Sequence, residues 1–155
     1  MDITRPNLTF DNVTLDVYNS RVYVAGKHTW EPIVLQIRDD VNNSVTKLVG
    51  EQIQKQFDFF EQASAASGID YKFTARIEVL DGGQGASAPT ILETFELYGS
   101  WIESVNYNSL AYNTSDPVTI TLNIRYDNAI QTPQGTGIGT AVTRTIGTLA
   151  TGGGQ

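Results

Sequence analysis

Between Val118 and Tyr126 the chain alternates strictly. Val118, Ile120, Leu122, Ile124 and Tyr126 are apolar or aromatic, and Thr119, Thr121, Asn123 and Arg125 between them are polar. A period of two puts the two sets on opposite sides of an extended chain, so this run predicts a strand with one buried and one wet face. Its five apolar side chains are expected in the core. Phe95, Leu97 and Tyr98 mark a second strand that breaks at Gly99, and Trp101 to Val105 a further extended piece. Tyr71 to Leu80 has Tyr71, Phe73, Ala75, Ile77 and Val79 on one face and Lys72, Thr74, Arg76 and Glu78 on the other. Ile91 to Tyr98 is expected to return antiparallel to it through the Gly-rich connection Asp81 to Pro89.

Nearer the N-terminus, Val13 to Val17 and Arg21 to Ala25 read as short strands separated by Asn19-Ser20, and Thr29 to Arg38 as a third. Pro32 has no N–H to donate to a ladder, which confines it to the start of that strand or to an edge. The period changes to three and four between about Asn43 and Ala63, where Val45, Leu48, Val49, Ile53, Phe57 and Phe60 continue a stripe begun at Val41. This predicts one amphipathic helix, capped by Asn42, Asn43 or Ser44, that packs on the sheet with Ile53, Phe57 and Phe60 in the core. Gly50 costs it about 1 kcal/mol relative to Ala, which packing must offset. The fold class that emerges is mainly β, with antiparallel sheets of sandwich or barrel type and one flanking α-helix.

Composition narrows the function more than the fold. A chain of 155 residues with 40% hydrophobic and 17% charged residues is a globular domain of ordinary size. Zero cysteines exclude disulfides, thiolate catalysis and cysteine-bound zinc. A net charge of −7 repels phosphate backbones and anionic lipids, which disfavours specific DNA binding and does not exclude a surface past which DNA slides without sticking. No apolar run approaches the ~18 residues that cross a bilayer, so no membrane association is expected. The opening MDITRPNLTF lacks the basic and apolar regions of a secretory leader, so synthesis in a cytoplasm is expected.

The candidate chemistry is thin. His28 is the single histidine and has no partner type for a metal site, and Asp39-Asp40 reads as an acidic pair flanking the helix N-terminus rather than a catalytic one. Gly135 to Gly139 has neither the Lys-Ser/Thr nor the following helix of a phosphate loop. Ser and Thr are plentiful, but nothing is at hand to activate them. No catalytic, metal or cofactor site is expected. Trp101, Tyr107 and Tyr112 offer a stacking platform, which keeps a ligand-binding β-sandwich as a reading of a different class.

Several segments in order carry a resemblance: Ser20 to Lys27 (SRVYVAGK) with Trp30 after it, the amphipathic helix, Tyr71-Lys72-Phe73, and ELYGSWIESVNY followed by DPVTITLNIRYDNAIQ. Over roughly Val17 to Gln131 the chain resembles the tail tube proteins of contractile-tailed, T4-like bacteriophages. That resemblance implies a tube-like β domain over residues 1–131; residues 132–155, rich in Gly and Thr and too poor in apolar residues for a core, read from their composition as an arm that extends beyond the shorter versions of the family. It implies six-subunit rings whose sheets join into one inner barrel, stacked into a tube through which double-stranded DNA passes, in a virion tail assembled in the host cytoplasm. The implied partners are further copies of the chain, the tail sheath, the tape-measure protein and the baseplate. A tube initiator or baseplate–tube junction protein shares the fold and is the nearest alternative. In such a tube the polar positions of the 71–98 hairpin, above all Glu78, Glu93 and Glu96, are expected to give the lumen an acidic wall.

Overall fold

The computed structural model describes residues 2–83, 85–111, 113, 115–131 and 138–139. In chain order these form β1 (Asp2–Ile3), β2 (Leu8–Val17), β3 (Ser20–Trp30), β4 (Ile33–Arg38), α1 (Ser44–Gln56), β5 (Phe57–Asp58), β6 (Ala63–Ser64), a 3-10 turn at Gly68–Asp70, β7 (Phe73–Leu80), β8 (Ile91–Asn106), β9 (Thr119–Arg125) and β10 (Asn128–Gln131). The architecture is mostly β, an antiparallel sheet curled into a half-barrel with one helix.

Alternation builds the core directly. Across β4 and β9, Ile33 pairs with Ile124, Leu35 with Leu122 and Ile37 with Ile120; on the other side of β9, Ile102 of β8 lies opposite Ile124 and Val105 opposite Leu122. Each such cross-strand pair contributes about 0.2–1 kcal/mol beyond an alanine pair. Ile120, Leu122, Ile124 and Tyr126 are buried together with Trp30, Ile33, Val49, Leu97 and Ile102. Val118 is 43% exposed because β9 starts one residue later, and its carbonyl accepts the Asp39 N–H at 2.9 Å. It therefore stands outside the core to which alternation assigned it.

α1 lies over this face, with Val49 buried and Val45 and Ile53 packed against the core. It is shorter than the apolar stripe. The chain leaves the helix at Gln56 and pairs Phe57–Asp58 with Ala63–Ser64, while the Asp58 carboxylate accepts the N–H groups of Phe60 and Glu61 in the turn between them. Phe60 is 95% exposed in consequence, a correction to its expected core position. Phe57 is half-buried, its ring edge-on to Phe59 at 5.2 Å rather than in the main cluster. At the other end Asn43 occupies the N-cap position in a left-handed conformation without a side-chain bond. The cap comes from upstream instead: Asp40 accepts the Ser44 N–H at 2.8 Å and Asp39 accepts the Thr46 hydroxyl.

β8 is one strand of 16 residues, where the glycine predicted two. Its partner side is shared by β9 and β10, which lie end to end along it: Arg125 is opposite Trp101 and Asn128 opposite Tyr98. Both lines bend at the same place. Leu97 and then Ser100 and Ile102 point inward, so Gly99 is one extra residue in the alternation; on the facing line Ala129 and then Tyr126 and Ile124 point inward, so Asp127 is the matching extra residue. The inward set thus stays inward through the bend. Gly99 has φ of +65°, which glycine alone adopts freely, and a Cβ there would overlap the Asp127 carboxylate. That carboxylate is held by Lys72 Nζ at 2.7 Å.

Gly99→Ala is therefore expected to cost about 1–3 kcal/mol, through left-handed backbone strain and displacement of Asp127, as read by urea unfolding followed by tryptophan fluorescence. Acid acts on different residues. The Thr46 hydroxyl bonded to Asp39, the Glu61 and Phe60 N–H groups on Asp58, and the Gly83 and Thr90 N–H groups on Asp81 each hold a carboxyl below its usual range. A depressed carboxyl stabilises the fold above its unfolded value near 3.8 and loses that contribution as pH falls through the folded value. Thermal midpoints recorded from pH 7 to pH 3 are expected to hold to about pH 4 and drop below it.

Candidate assembly interface

The least satisfied part of the molecule is the β2–β3 hairpin. It is far longer than the two short strands that its sequence suggests, pairing from Leu8↔Trp30 to Val17↔Ser20 with one irregularity between Phe10 and Asn12. Among the described residues the two strands pair only with each other. The tip is the two-residue turn Tyr18-Asn19, braced by the Arg21–Asp16 ion pair at 2.8 Å. Val13 pairs with Val24 and Leu15 with Val22, which gathers these residues and Val17 on one side of the ribbon; Thr14, Asp16, Arg21 and Tyr23 take the other. All five apolar members are 45–52% exposed, so an apolar face lies open to water. Its base is anchored where a run of rings from Phe10 through His28 and Trp30 reaches Tyr126 with centroid spacings of 6.3, 6.4 and 5.7 Å. Burial, with the charge of Glu31, pushes the Tyr126 phenol up to about 12.

A second open feature is the outer edge of β7, which pairs with β8 on one side only among the described residues. On the polar face of this β7–β8 pair Arg76 stands opposite Glu96 and Glu78 opposite Thr94. Arg76 Nε reaches Glu78 at 2.8 Å, and the Tyr98 hydroxyl donates to Glu96 at 2.6 Å, a bond that raises the Tyr98 phenol above its ordinary value. Glu78 and Glu96 thus share one face, Glu78 ion-paired with Arg76 and Glu96 bonded by the Tyr98 hydroxyl. Glu93 does not join them. It lies opposite Val79, on the side of Phe95 and Leu97, where its carboxylate meets the Gln131 amide and, at 3.8 Å, Arg5.

The other candidates disperse. Trp101 stands opposite Arg125 on the polar face, Tyr107 follows the end of β8, and Tyr112 lies outside the described residues, as do positions 132–137 and 140–155 of the Gly/Thr-rich segment. Asp39 and Asp40 are spent on the helix start. Among the described residues no group of three or more His, Asp or Glu could hold a metal ion. An apolar groove of about 330 Å³ remains between α1 and the sheet, lined by Val45, Leu48, Val49, Phe73 and Ile102 among others.

No family model matches the chain, and no curated protein sequence does. Solved structures do match its fold. A chain of the anti-feeding prophage baseplate superposes with a TM-score of 0.60 at 14% identity, covering 84% of this chain and 78% of that one. A chain of the cap that terminates the anti-feeding prophage tube gives 0.62 at 12%, covering 86% and 81%. A chain of the sheath–tube complex of an extracellular contractile injection system, PVC, in the extended state gives 0.60 at 12%, covering 86% and 82%. At such identities the likeness establishes the fold: this chain is built as the tube and baseplate proteins of contractile injection systems are built.

The open ribbon makes a prediction about stability. Because its apolar face is about half exposed and its strands pair with no other strand among the described residues, Leu15→Asp with Val22→Asp is expected to change the urea unfolding free energy by about 1 kcal/mol or less. A loss of several kcal/mol would show that the ribbon folds back onto the core.

Proposed function

We propose that this chain is the structural subunit of a bacteriophage tail tube, in which six copies close a ring, rings stack, and double-stranded DNA passes through an acidic lumen. The observation that carries the reading is the β2–β3 ribbon. A two-stranded hairpin is marginal in water by itself, and one that exposes Val13, Leu15, Val17, Val22 and Val24 along its length gains its stability when another surface covers that face. Supply of that surface by further copies explains why the ribbon is built at all. The open edge of β7 supports the same reading, since unpaired strand edges invite strand addition and closure into a barrel removes them.

Within the ring, Glu78 and Glu96 line the lumen with the polar face of the β7–β8 pair, and Glu93 belongs to the opposite face. Six copies multiply a net charge of −7, which keeps DNA from adhering to the wall. The sheath packs outside, the tape-measure protein threads the lumen, and the baseplate meets the first ring, so the protein resides in the virion tail. The fold likeness to a baseplate chain at the same TM-score as the sheath–tube chain favours one second reading, a ring at the end of the tube rather than in its body.

Negative-stain microscopy of the purified chain tests both. Hollow tubes are the expected result, isolated rings favour the tube-end reading, and dispersed monomers at every concentration sink both. In tubes of the Glu78→Lys, Glu96→Lys double variant, retained nucleic acid is expected as a raised ratio of absorbance at 260 to 280 nm; an unchanged ratio removes these two residues from the lumen.

A further inference from the structure

β8 outruns the strand beside it. β7 accompanies it from Leu80↔Ile91 to Phe73↔Ser100 and stops, so beyond Ser100 β8 has β9 on one side and, among the described residues, no strand on the other. Continuing the register would set Tyr71 against Ile102. Tyr71 has instead left the ladder, and its carbonyl accepts from Gln52 Nε2 at 2.6 Å. Its place is taken by a side chain: Gln56 Nε2 donates to the Ile102 carbonyl at 2.9 Å, and the Ile102 N–H donates to Gln56 Oε1 at 3.0 Å. One carboxamide thereby exchanges both bonds with one residue, which is what a paired residue of an antiparallel strand does. Gln52 and Gln56 are four apart on α1, so one helix face serves both the strand that departs and the edge it leaves behind.

We infer that Gln56 is the residue that closes the outer half of β8 to a second copy of this chain, and that strand addition is thereby directed to the outer edge of β7. An unpaired N–H and C=O on one extended residue is a template for another chain. Here an intramolecular amide occupies both, and its effective concentration is far above that of any second copy. Within the six-stranded sheet the edge of β7 has no such cover among the described residues and is eight residues long, against four for β10 and two for β1. The inference rests on the reading of the chain as a ring-forming subunit, and it names the edge by which rings do not form.

The chain has no cysteine, so a single introduced thiol reports contact cleanly. Ser104→Cys places one on the exposed outer half of β8. With Gln56 in place, oxidation at micromolar protein is expected to leave monomers unlinked. With Gln56→Met added, which keeps the length and removes both amide bonds to Ile102, disulfide dimers are expected to accumulate about fivefold to tenfold faster. Hydrogen exchange on the monomeric protein supplies the second measurement: the Ile102 amide is expected to exchange faster by a similar factor in Gln56→Met and in Gln56→Asn, whose amide falls one methylene short, while the amides of β9 keep their rates. Equal cross-linking with and without Gln56, or unchanged exchange at Ile102 in either folded variant, overturns the inference. Both comparisons read the edge itself, so they stand even where the chain forms no ring, an outcome that would count against the tube reading alone.

Discussion

A strand of sixteen residues must find partners for its backbone N–H and C=O groups on both sides, and the fold is largely the set of answers that β8 obtains. Along one side β9 and β10 lie end to end in a single register. Along the other, β7 serves the first half and Gln56 serves Ile102 in the second. Burying any of these groups unpaired would cost roughly 1–3 kcal/mol each, so the placing of α1 is an electrostatic requirement as well as a hydrophobic one. The bend at Gly99 and Asp127 belongs to the same constraint. It lets one ladder curl without turning its apolar side chains out, because each of the two facing lines inserts one residue at the same point.

Among the described residues, what β8 does not organise pairs with no strand of its sheet. The β2–β3 ribbon touches the core through Leu8 and Trp30 at its base and then leaves it. Its amphipathic division, with Val13, Leu15, Val22 and Val24 on one side and Thr14, Asp16, Arg21 and Tyr23 on the other, is the pattern of a half-buried sheet whose apolar side is left about half exposed by the described residues. Among the described residues one half of the fold is packed around a core and the ribbon stands half-exposed beside it.

The sequence revealed those elements whose period is set by one buried face. Alternation from Val118 to Tyr126 located β9 to within a residue, and the Ile33, Leu35, Ile37 set located β4. It failed where a local bond outweighed the period. The stripe through Phe57 and Phe60 continues in the sequence after Asp58 has turned the chain, so periodicity carried the helix too far. Gly99 reads as a break because glycine ends strands more often than it bends them. Glu93 was grouped with Glu78 and Glu96 by charge, although its distance of two from Phe95 and four from Leu97 already put it on the inward side. The bonds of Gln52 and Gln56 had no sequence signal, since a glutamine beside an apolar stripe reads as an exposed helix position until the edge it covers is known.

These assignments constrain one another. The apolar face of the β4–β9–β8 sheet is already covered by α1, and the face that remains carries Thr119, Thr121, Asn123, Arg125 and Glu103, the last two ion-paired at 3.1 Å. In a barrel closed by strand addition one face of each sheet looks inward and the other outward. In the proposed ring a helix inside would fill the channel, so α1 would stand outside and the polar face would line it. Gln56 reaches the β8 edge from that same outer side, and the edge it closes is the one a neighbouring copy would otherwise occupy. With that edge taken, a second copy in the proposed ring would meet the extended backbone of β7, beside the face that bears Glu78 and Glu96. The choice of edge and the chemistry of the proposed channel wall would then be one decision, made where β7 leaves β8 and the helix takes its place.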